Sequence, residues 1–210
     1  MNTTVIESID SNYPEVLQSR PVSKRFPRIW AIGNLGILER PLLGFFCSQR
    51  CPGEVILRTY DLVRALRDAG IPVIGGFHAS MERECLDLLL RGEQPIVVCP
   101  ARGIEGMRLP AAWREPLAEE RLLVLSPFEA KHRRPTVELA EKRNHLVAML
   151  ADGIFVAHAA PGSKTEALCL EVVEQGKRIY TLNIAENARL AQCGIVGNSV
   201  GDLVETITHI

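Results

Sequence analysis

The sequence lacks most of the features that point directly to one function. Aromatic residues make up only 5% of the chain and the net charge is −1, which argues against a broad positive surface that coats nucleic acid. A local basic groove is still compatible with that charge. No apolar run is long enough to cross a bilayer, and the first residues have neither the basic start nor the long apolar stretch of a secretory signal. We therefore expect a cytoplasmic protein without membrane contact.

Motifs for metal binding and catalysis are also missing. The six cysteines are scattered, and no cysteine–histidine cluster has the spacing of a zinc site. There is no complete G-x-G-x-x-G and no H-E-x-x-H, and the glycine that a Walker A loop needs upstream of Lys164 is absent. We expect no metal and no cofactor, and we assign no catalytic residue.

What the sequence does contain is a regular alternation of short apolar runs and amphipathic segments. Uniformly apolar strands are covered on both faces, and helical connections of this length are the crossovers that parallel strands need. The pattern predicts one doubly wound, mainly parallel, Rossmann-like α/β domain over residues 31–210, after a lead-in at 1–30. The predicted strands cover 28–32, 41–48, 71–77, 94–100, 121–128, 153–159 and 177–182, and the predicted helices cover 54–70, 80–92, 136–153, 163–176 and 200–210.

The ends of these strands are where a ligand is expected. In open parallel sheets, ligands bind beyond the carboxyl ends of the strands. Small residues, hydroxyls and basic side chains collect there, in the segments 47–53, 75–80, 99–103, 126–134 and 159–165. We expect Ser48, Gly75, Arg143 and Gly162 to converge on one cleft.

The turn "PGSKTE" allows two interpretations. Ser163 and Glu166 have the spacing of a capping box, in which Ser163 accepts from the amide of Glu166 and the Glu166 carboxylate reaches back to the amide of Ser163. Gly162, Lys164 and Thr165 could in addition form a cradle for a phosphate or another anion, because a helix N-terminus offers free amides and a positive dipole end.

Two further segments are candidates. Gly75 and Gly76 either permit a tight turn or admit a nucleotide to the backbone. Lys142, Arg143 and Asn144 belong either to a solvated helix face or to a site in which a guanidinium binds phosphate. In the second case, Arg143→Ala should weaken oligonucleotide binding with little change in melting temperature.

The order of these motifs resembles the DNA-processing protein A (DprA/Smf) family from about residue 11 to residue 207. "YPEVL" resembles its lead-in, and "IWAIGNLGILERPLLGFFCSQRCPG" resembles its first strands and Gly-Ser-Arg turn. "KRNHLVAMLADGIFVAHAAPGSKTEALCLEVVEQGKRIYTL" resembles its Arg-Asn-Arg helix, strand, Ser-Gly-Ser turn and closing unit. The resemblance implies a Rossmann domain that binds single-stranded DNA in a basic pocket at the strand ends, forms a homodimer and helps to load a recombinase.

Three functions remain open at this stage. The first is a non-catalytic protein that binds single-stranded DNA, linked to DNA uptake or recombination. The second is a sensor of a nucleotide-derived small ligand. The third is a nucleoside monophosphate phosphoribohydrolase that uses Arg143 and Glu166, because the chain is also loosely similar to the lonely-guy or lysine-decarboxylase-like group. The residues assigned to nucleic-acid or nucleotide binding are Ser48, Arg50, Gly75, Gly76, Lys142, Arg143, Asn144, Gly162, Ser163, Lys164 and Thr165.

Overall fold

The architecture is a twisted sheet between two layers of helices. The computed structural model describes residues 3–9, 13, 15–18, 22–197 and 199–209. Within these residues, nine strands form one sheet. They are β1 (Thr4–Glu7), β2 (Arg28–Gly33), β3 (Leu43–Cys47), β4 (Val73–Gly75), β5 (Ile96–Val98), β6 (Leu122–Ser126), β7 (Gly153–His158), β8 (Arg178–Leu182) and β9 (Ile195–Gly197).

The order of the strands across the sheet is β1-β2-β6-β5-β4-β3-β7-β8-β9. From β6 to β9 in that order, all neighbours are parallel. The exceptions are β2, which is antiparallel to β6, and β1, which is antiparallel to β2. This arrangement confirms the prediction of a doubly wound, mainly parallel α/β domain.

Helices connect the strands. In the described part of the chain they are α1 (Glu15–Gln18), α2 (Val22–Arg25), α3 (Gly53–Asp68), α4 (Ser80–Leu89), α5 (Arg114–Ala118), α6 (Val137–Leu150), α7 (Lys164–Glu174) and α8 (Val200–Thr208). None of the helices among these described residues is long and apolar enough to cross a lipid bilayer.

Hydroxyl caps fix where the later helices begin. The hydroxyl of Thr136 accepts from the amide of Leu139 at 3.2 Å and starts α6. Ser199 accepts from the amide of Asp202 at 3.1 Å and starts α8. Such caps satisfy donors that have no partner inside the helix, so they stop the helix from extending into the preceding turn.

The core lies on both faces of the sheet. On one face, α3, α4 and α8 bury side chains such as Leu62, Leu86 and Leu203 against the strands. On the other face, α6 and α7 bury Leu146 and Leu168. The strands are therefore covered on both sides, which is why their sequences are apolar throughout rather than alternating.

The structure adds elements that the sequence pattern did not predict. Strands β1 and β9 and the short helices α1, α2 and α5 were not expected. The strand predicted at 28–32 is present as β2, but it joins the sheet in the antiparallel direction. As a result, the amino end of β2 lies at the same edge of the sheet as the carboxyl ends of the parallel strands.

Candidate functional site at the carboxyl edge of the sheet

The strand order brings three of the predicted turns side by side. Strand β3 lies between β4 and β7, so the turns that follow these strands meet at one edge of the sheet. The amide of Ser48 donates to the carbonyl of His158 at 2.8 Å, which extends the β3–β7 pairing into the turns. We call this side of the sheet, where the parallel strands end, the carboxyl edge.

Ser48 holds the turn after β7 in place. Its hydroxyl accepts from the amide of Ala160 at 3.0 Å and lies 3.2 Å from the hydroxyl of Ser163. Ser48 is only 6% exposed. The structure thus brings Ser48 and the Gly162–Ser163 turn into direct contact, and the two hydroxyls form one small polar cluster.

The capping of α7 differs in one detail from the predicted capping box. The hydroxyl of Ser163 accepts from the amide of Glu166 at 3.1 Å, as predicted. The Glu166 carboxylate, however, accepts from the amide of Gly162 at 2.7 Å and not from that of Ser163. The reason is the turn itself, in which Gly162 adopts a φ of 71° and the amide of Ser163 donates to the carbonyl of Ala160.

Two backbone amides in the first turn of α7 have no hydrogen-bond acceptor inside the helix. The amides of Lys164 and Thr165 have no partner within the helix, because the first amides of any helix lack one. The ammonium group of Lys164 pairs with Glu141 of α6, and Arg189 lies 3.2 Å from the carboxylate of Glu166. The helix terminus therefore has open amides, but the basic side chain beside it is already paired.

Arg143 is buried, which the sequence-based interpretation did not anticipate. It is 4% exposed, its Nη1 donates to the carbonyl of Cys99 at 2.8 Å, and its Nε donates to Asn144 at 2.8 Å. Burial lowers the pKa of Arg143, and the charge of Glu82 opposes that shift. The guanidinium donates to groups inside the protein, so replacing Arg143 should lower the free energy of unfolding. This differs from the expectation, made from the sequence, that Arg143→Ala changes the melting temperature only a little.

Gly76 leaves the space that this guanidinium occupies. A Cβ atom at Gly76 would lie 1.8 Å from Nη1 of Arg143. Gly75 is buried at the end of β4, where a Cβ would meet the ring of Phe77 at 3.0 Å. The space beside each glycine is therefore filled by a side chain of the protein, Arg143 at Gly76 and Phe77 at Gly75.

Glu82 is a buried carboxylate that the sequence analysis missed. It is 7% exposed. One oxygen accepts from the amide of Cys47 at 3.1 Å, and the other accepts from His78 at 2.9 Å and Ala79 at 3.1 Å. Glu82 thus ties the turn after β3 to the turn after β4, and it fills the N-terminus of α4 with the protein's own negative charge.

The remaining predicted site residues lie on the surface or on the rim. Arg50 is exposed in the turn after β3. Lys142 is exposed and forms an ion pair with Glu138 at 2.8 Å, one helical turn earlier. Asn144 is half-buried and accepts from Arg143.

A second part of the carboxyl edge lies beyond β4, where β5 and β6 end. A cleft of about 250 Å³ opens there, and we call it the Trp113 cleft. It is lined by Gly76, Phe77, His78, Val98, Pro100, Ala101, Arg102, Met107, Arg108, Pro110, Trp113 and Pro135.

The loops around the Trp113 cleft are tied to each other. The amide of Gly103 donates to the carbonyl of His132 at 2.8 Å, and the hydroxyl of Ser126 donates to the carbonyl of Arg102 at 2.6 Å. A Cβ at Gly103 would lie 2.4 Å from the carbonyl oxygen of Glu129, so the two loops are in close contact. Hydrogen bonds and close backbone contact therefore join the loops that form the cleft.

Four arginines surround this part of the edge. Arg108, Arg133 and Arg134 are exposed and Arg102 is half-buried. In the described ranges, no carboxylate forms an ion pair with any of these four side chains. The sequence analysis identified the segments 99–103 and 126–134, but it assigned no role to Arg108 or Trp113, because residues 104–113 have no periodic pattern.

Comparison with known proteins gives a consistent result. The sequence profile of the family described as DNA recombination-mediator protein A matches residues 4–198. No curated protein matches the chain.

Solved structures with a similar fold include two DNA processing proteins and a cofactor carrier. DNA processing protein A from Streptococcus pneumoniae has a TM-score of 0.76 at 17% identity, covering 96% of this chain and 73% of that one. DNA processing protein A from Helicobacter pylori, whose structure is described for its single-stranded DNA binding mode, has a TM-score of 0.74 at 16% identity, with coverages of 99% and 96%. The molybdenum cofactor carrier protein from Chlamydomonas reinhardtii has a TM-score of 0.56 at 12% identity, with coverages of 81% and 98%.

Proposed function

We propose that this chain, which belongs to the DNA recombination-mediator protein A family, binds single-stranded DNA along the carboxyl edge of its sheet. The observation that carries the proposal is the set of arginines at positions 102, 108, 133 and 134. They lie in neighbouring loops and have no carboxylate partner within the described residues. Several unpaired guanidinium groups on neighbouring loops can bind successive phosphates of a strand, whereas a single small anion requires one closed pocket.

The turn at the start of α7 supplies a second contact in this proposal. The free amides of Lys164 and Thr165 face out of the helix and can donate to one phosphate, with the positive end of the helix dipole behind them. Ser48 and Ser163 support this turn through their hydroxyl contact. Gly162 has no atom within 4 Å of a would-be Cβ, so a ligand has open space beside it.

The second candidate is a sensor of a free nucleotide. The Trp113 cleft supports the sensor, because the lining of the cleft is mainly apolar with a few cationic groups, as in small-molecule sites. Its volume of about 250 Å³ is below the range of about 300–1,000 Å³ typical of pockets that enclose a whole ligand. The cleft is therefore better matched to part of a longer ligand.

A titration with a labelled oligo-dT separates these two candidates. At low salt we expect saturable binding that weakens as salt rises, because phosphate contacts release counterions from the DNA. Mononucleotides in large excess should compete poorly. A mononucleotide that binds more tightly than the oligomer, or a complete lack of oligomer binding at low salt, would replace this proposal with the sensor.

The hydrolase has weaker support, because Glu166 already has two partners. Its carboxylate accepts from Gly162 and pairs with Arg189, and Arg143 is buried. We expect Glu166→Gln to retain an acceptor for the Gly162 amide and to change the free energy of unfolding by less than about 1 kcal/mol. Neither the wild type nor the variant should release a base from nucleoside monophosphates.

The matched control for this test is Glu174→Gln, at an exposed position of the same helix. Base release can be followed by chromatography of the reaction mixture. An activity that is present in the wild type and in the control but is lost in folded Glu166→Gln would establish an enzyme.

Three further parts of the proposal rest on family membership. They are assembly as a homodimer, an interaction with a recombinase, and a role of the chain in DNA uptake or recombination in the cytoplasm. The match to the family profile over residues 4–198 supports them.

A further inference from the structure

We propose that the Trp113 cleft takes up one base of the bound strand, stacked on the indole of Trp113. This inference deepens the proposed function and rests on it. It concerns the contacts to the bases, whereas the proposed function concerns the contacts to the phosphates.

The position of Trp113 suits a stacking platform. Trp113 is half-buried and packs against the main core cluster on its face of the sheet together with Met107 and Leu109. Its amide donates to the carbonyl of Pro110 at 3.1 Å, in a short 3₁₀ turn at Ala111–Trp113. A ring held on one side by the core and open to the cleft on the other can stack a base at little cost in side-chain entropy.

The lining of the cleft fits the flat faces of a base. Val98, Pro100, Met107 and Pro110 supply apolar surface next to the indole. Nucleobases are planar, and every base has a π-face, so stacking on an aromatic ring is strong for any of them. The limited volume of the cleft leaves the sugar and the phosphates outside, on the side of the arginines.

The polar side chains in the lining can bind the edge of the base and the phosphates beside it. They are Arg102, Arg108 and His78. Arginine donates hydrogen bonds, and a neutral histidine ring can donate or accept. Since every base carries acceptor atoms on its edges, these side chains are compatible with any base.

Three oligomers of equal length test this inference on the unmodified protein. We expect oligo-dT and oligo-dC to bind with similar affinity, and each to bind about tenfold more tightly than an abasic strand of deoxyribose phosphates, because stacking on an aromatic ring tolerates any base. Oligo-dT should also quench the fluorescence of Trp113, and the abasic strand should not. The chain has two tryptophans, and Trp113→Phe removes one, so the difference between the two proteins isolates the signal of Trp113.

Variants give an independent measurement. Trp113→Ala should weaken oligo-dT binding about tenfold and leave binding of the abasic strand unchanged, while Trp113→Phe should retain most of the affinity because it keeps a ring. A thermal melt checks that each variant is folded. If Trp113→Ala is unfolded, the comparison of oligomers on the unmodified protein decides alone.

The outcomes distinguish the two levels of the argument. Equal binding of oligo-dT and the abasic strand, without quenching, overturns the base cleft and leaves the DNA-binding proposal standing. No binding of any oligomer at low salt overturns both proposals.

Discussion

Replacing Glu82 by alanine is expected to lower the free energy of unfolding by about 3–5 kcal/mol, because each buried amide that loses its acceptor costs about 1–3 kcal/mol. Three backbone amides would lose their acceptor, and the buried charge of Arg143 would lose the carboxylate that acts on it. For a domain of this size, that corresponds to a fall in melting temperature of roughly 6–20 °C. Thermal or denaturant unfolding measures it.

The matched control is Asp87→Asn, on the exposed side of the same helix, which should change stability by less than about 0.5 kcal/mol. A double-mutant cycle with Arg143→Met tests the coupling. The double variant should cost less than the sum of the two single variants, because each single change already removes the electrostatic attraction between the two side chains. A Glu82→Ala protein that melts with the wild type would contradict the prediction.

The second large effect is expected from removing all four unpaired arginines of the carboxyl edge. In the variant R102Q/R108Q/R133Q/R134Q, the dependence of log affinity for oligo-dT on log salt should become shallower by about 3, since each phosphate contact of a single strand contributes about 0.7. Affinity at low salt should fall far more than affinity at high salt. Fluorescence anisotropy at several salt concentrations measures both.

A control with the same change in net charge comes from the opposite edge of the sheet. Arg40, Arg64, Arg91 and Arg178 are exposed there. Replacing these four by glutamine should leave the salt dependence almost unchanged. If both quadruple variants lose affinity equally, binding follows the overall charge and is not located at the carboxyl edge.

Most of the fold could be predicted from the sequence. Apolar runs bounded by turn residues locate β3 to β8, and Gly70 and Gly153 follow the helices that they were expected to end. The direction of β2 could not be predicted, because an apolar run looks the same whichever way it joins a sheet. Strand β9 is three residues long and pairs with one neighbour only, so its pattern carries almost no signal.

The sequence analysis did not predict that Arg143 and Glu82 are buried, although both residues fall on the apolar stripe of their helix. On α6, the buried positions include Leu139, Leu146 and Leu150, and Arg143 falls on the same stripe. On α4, Glu82 likewise belongs to the buried face. A charged residue on an apolar helical stripe predicts a buried charge with a dedicated partner. The distant partners, the amide of Cys47 for Glu82 and the carbonyl of Cys99 for Arg143, follow only from the tertiary structure.

The contact between Ser48 and Ser163 joins residues 115 positions apart in the chain. Helix α7 and its cap can form locally, but the polar cluster exists only after β3 and β7 have paired, and that pairing must offset the entropy of closing a very long loop. The candidate site is therefore a property of the completed sheet. A fragment that contains either serine alone would have no site.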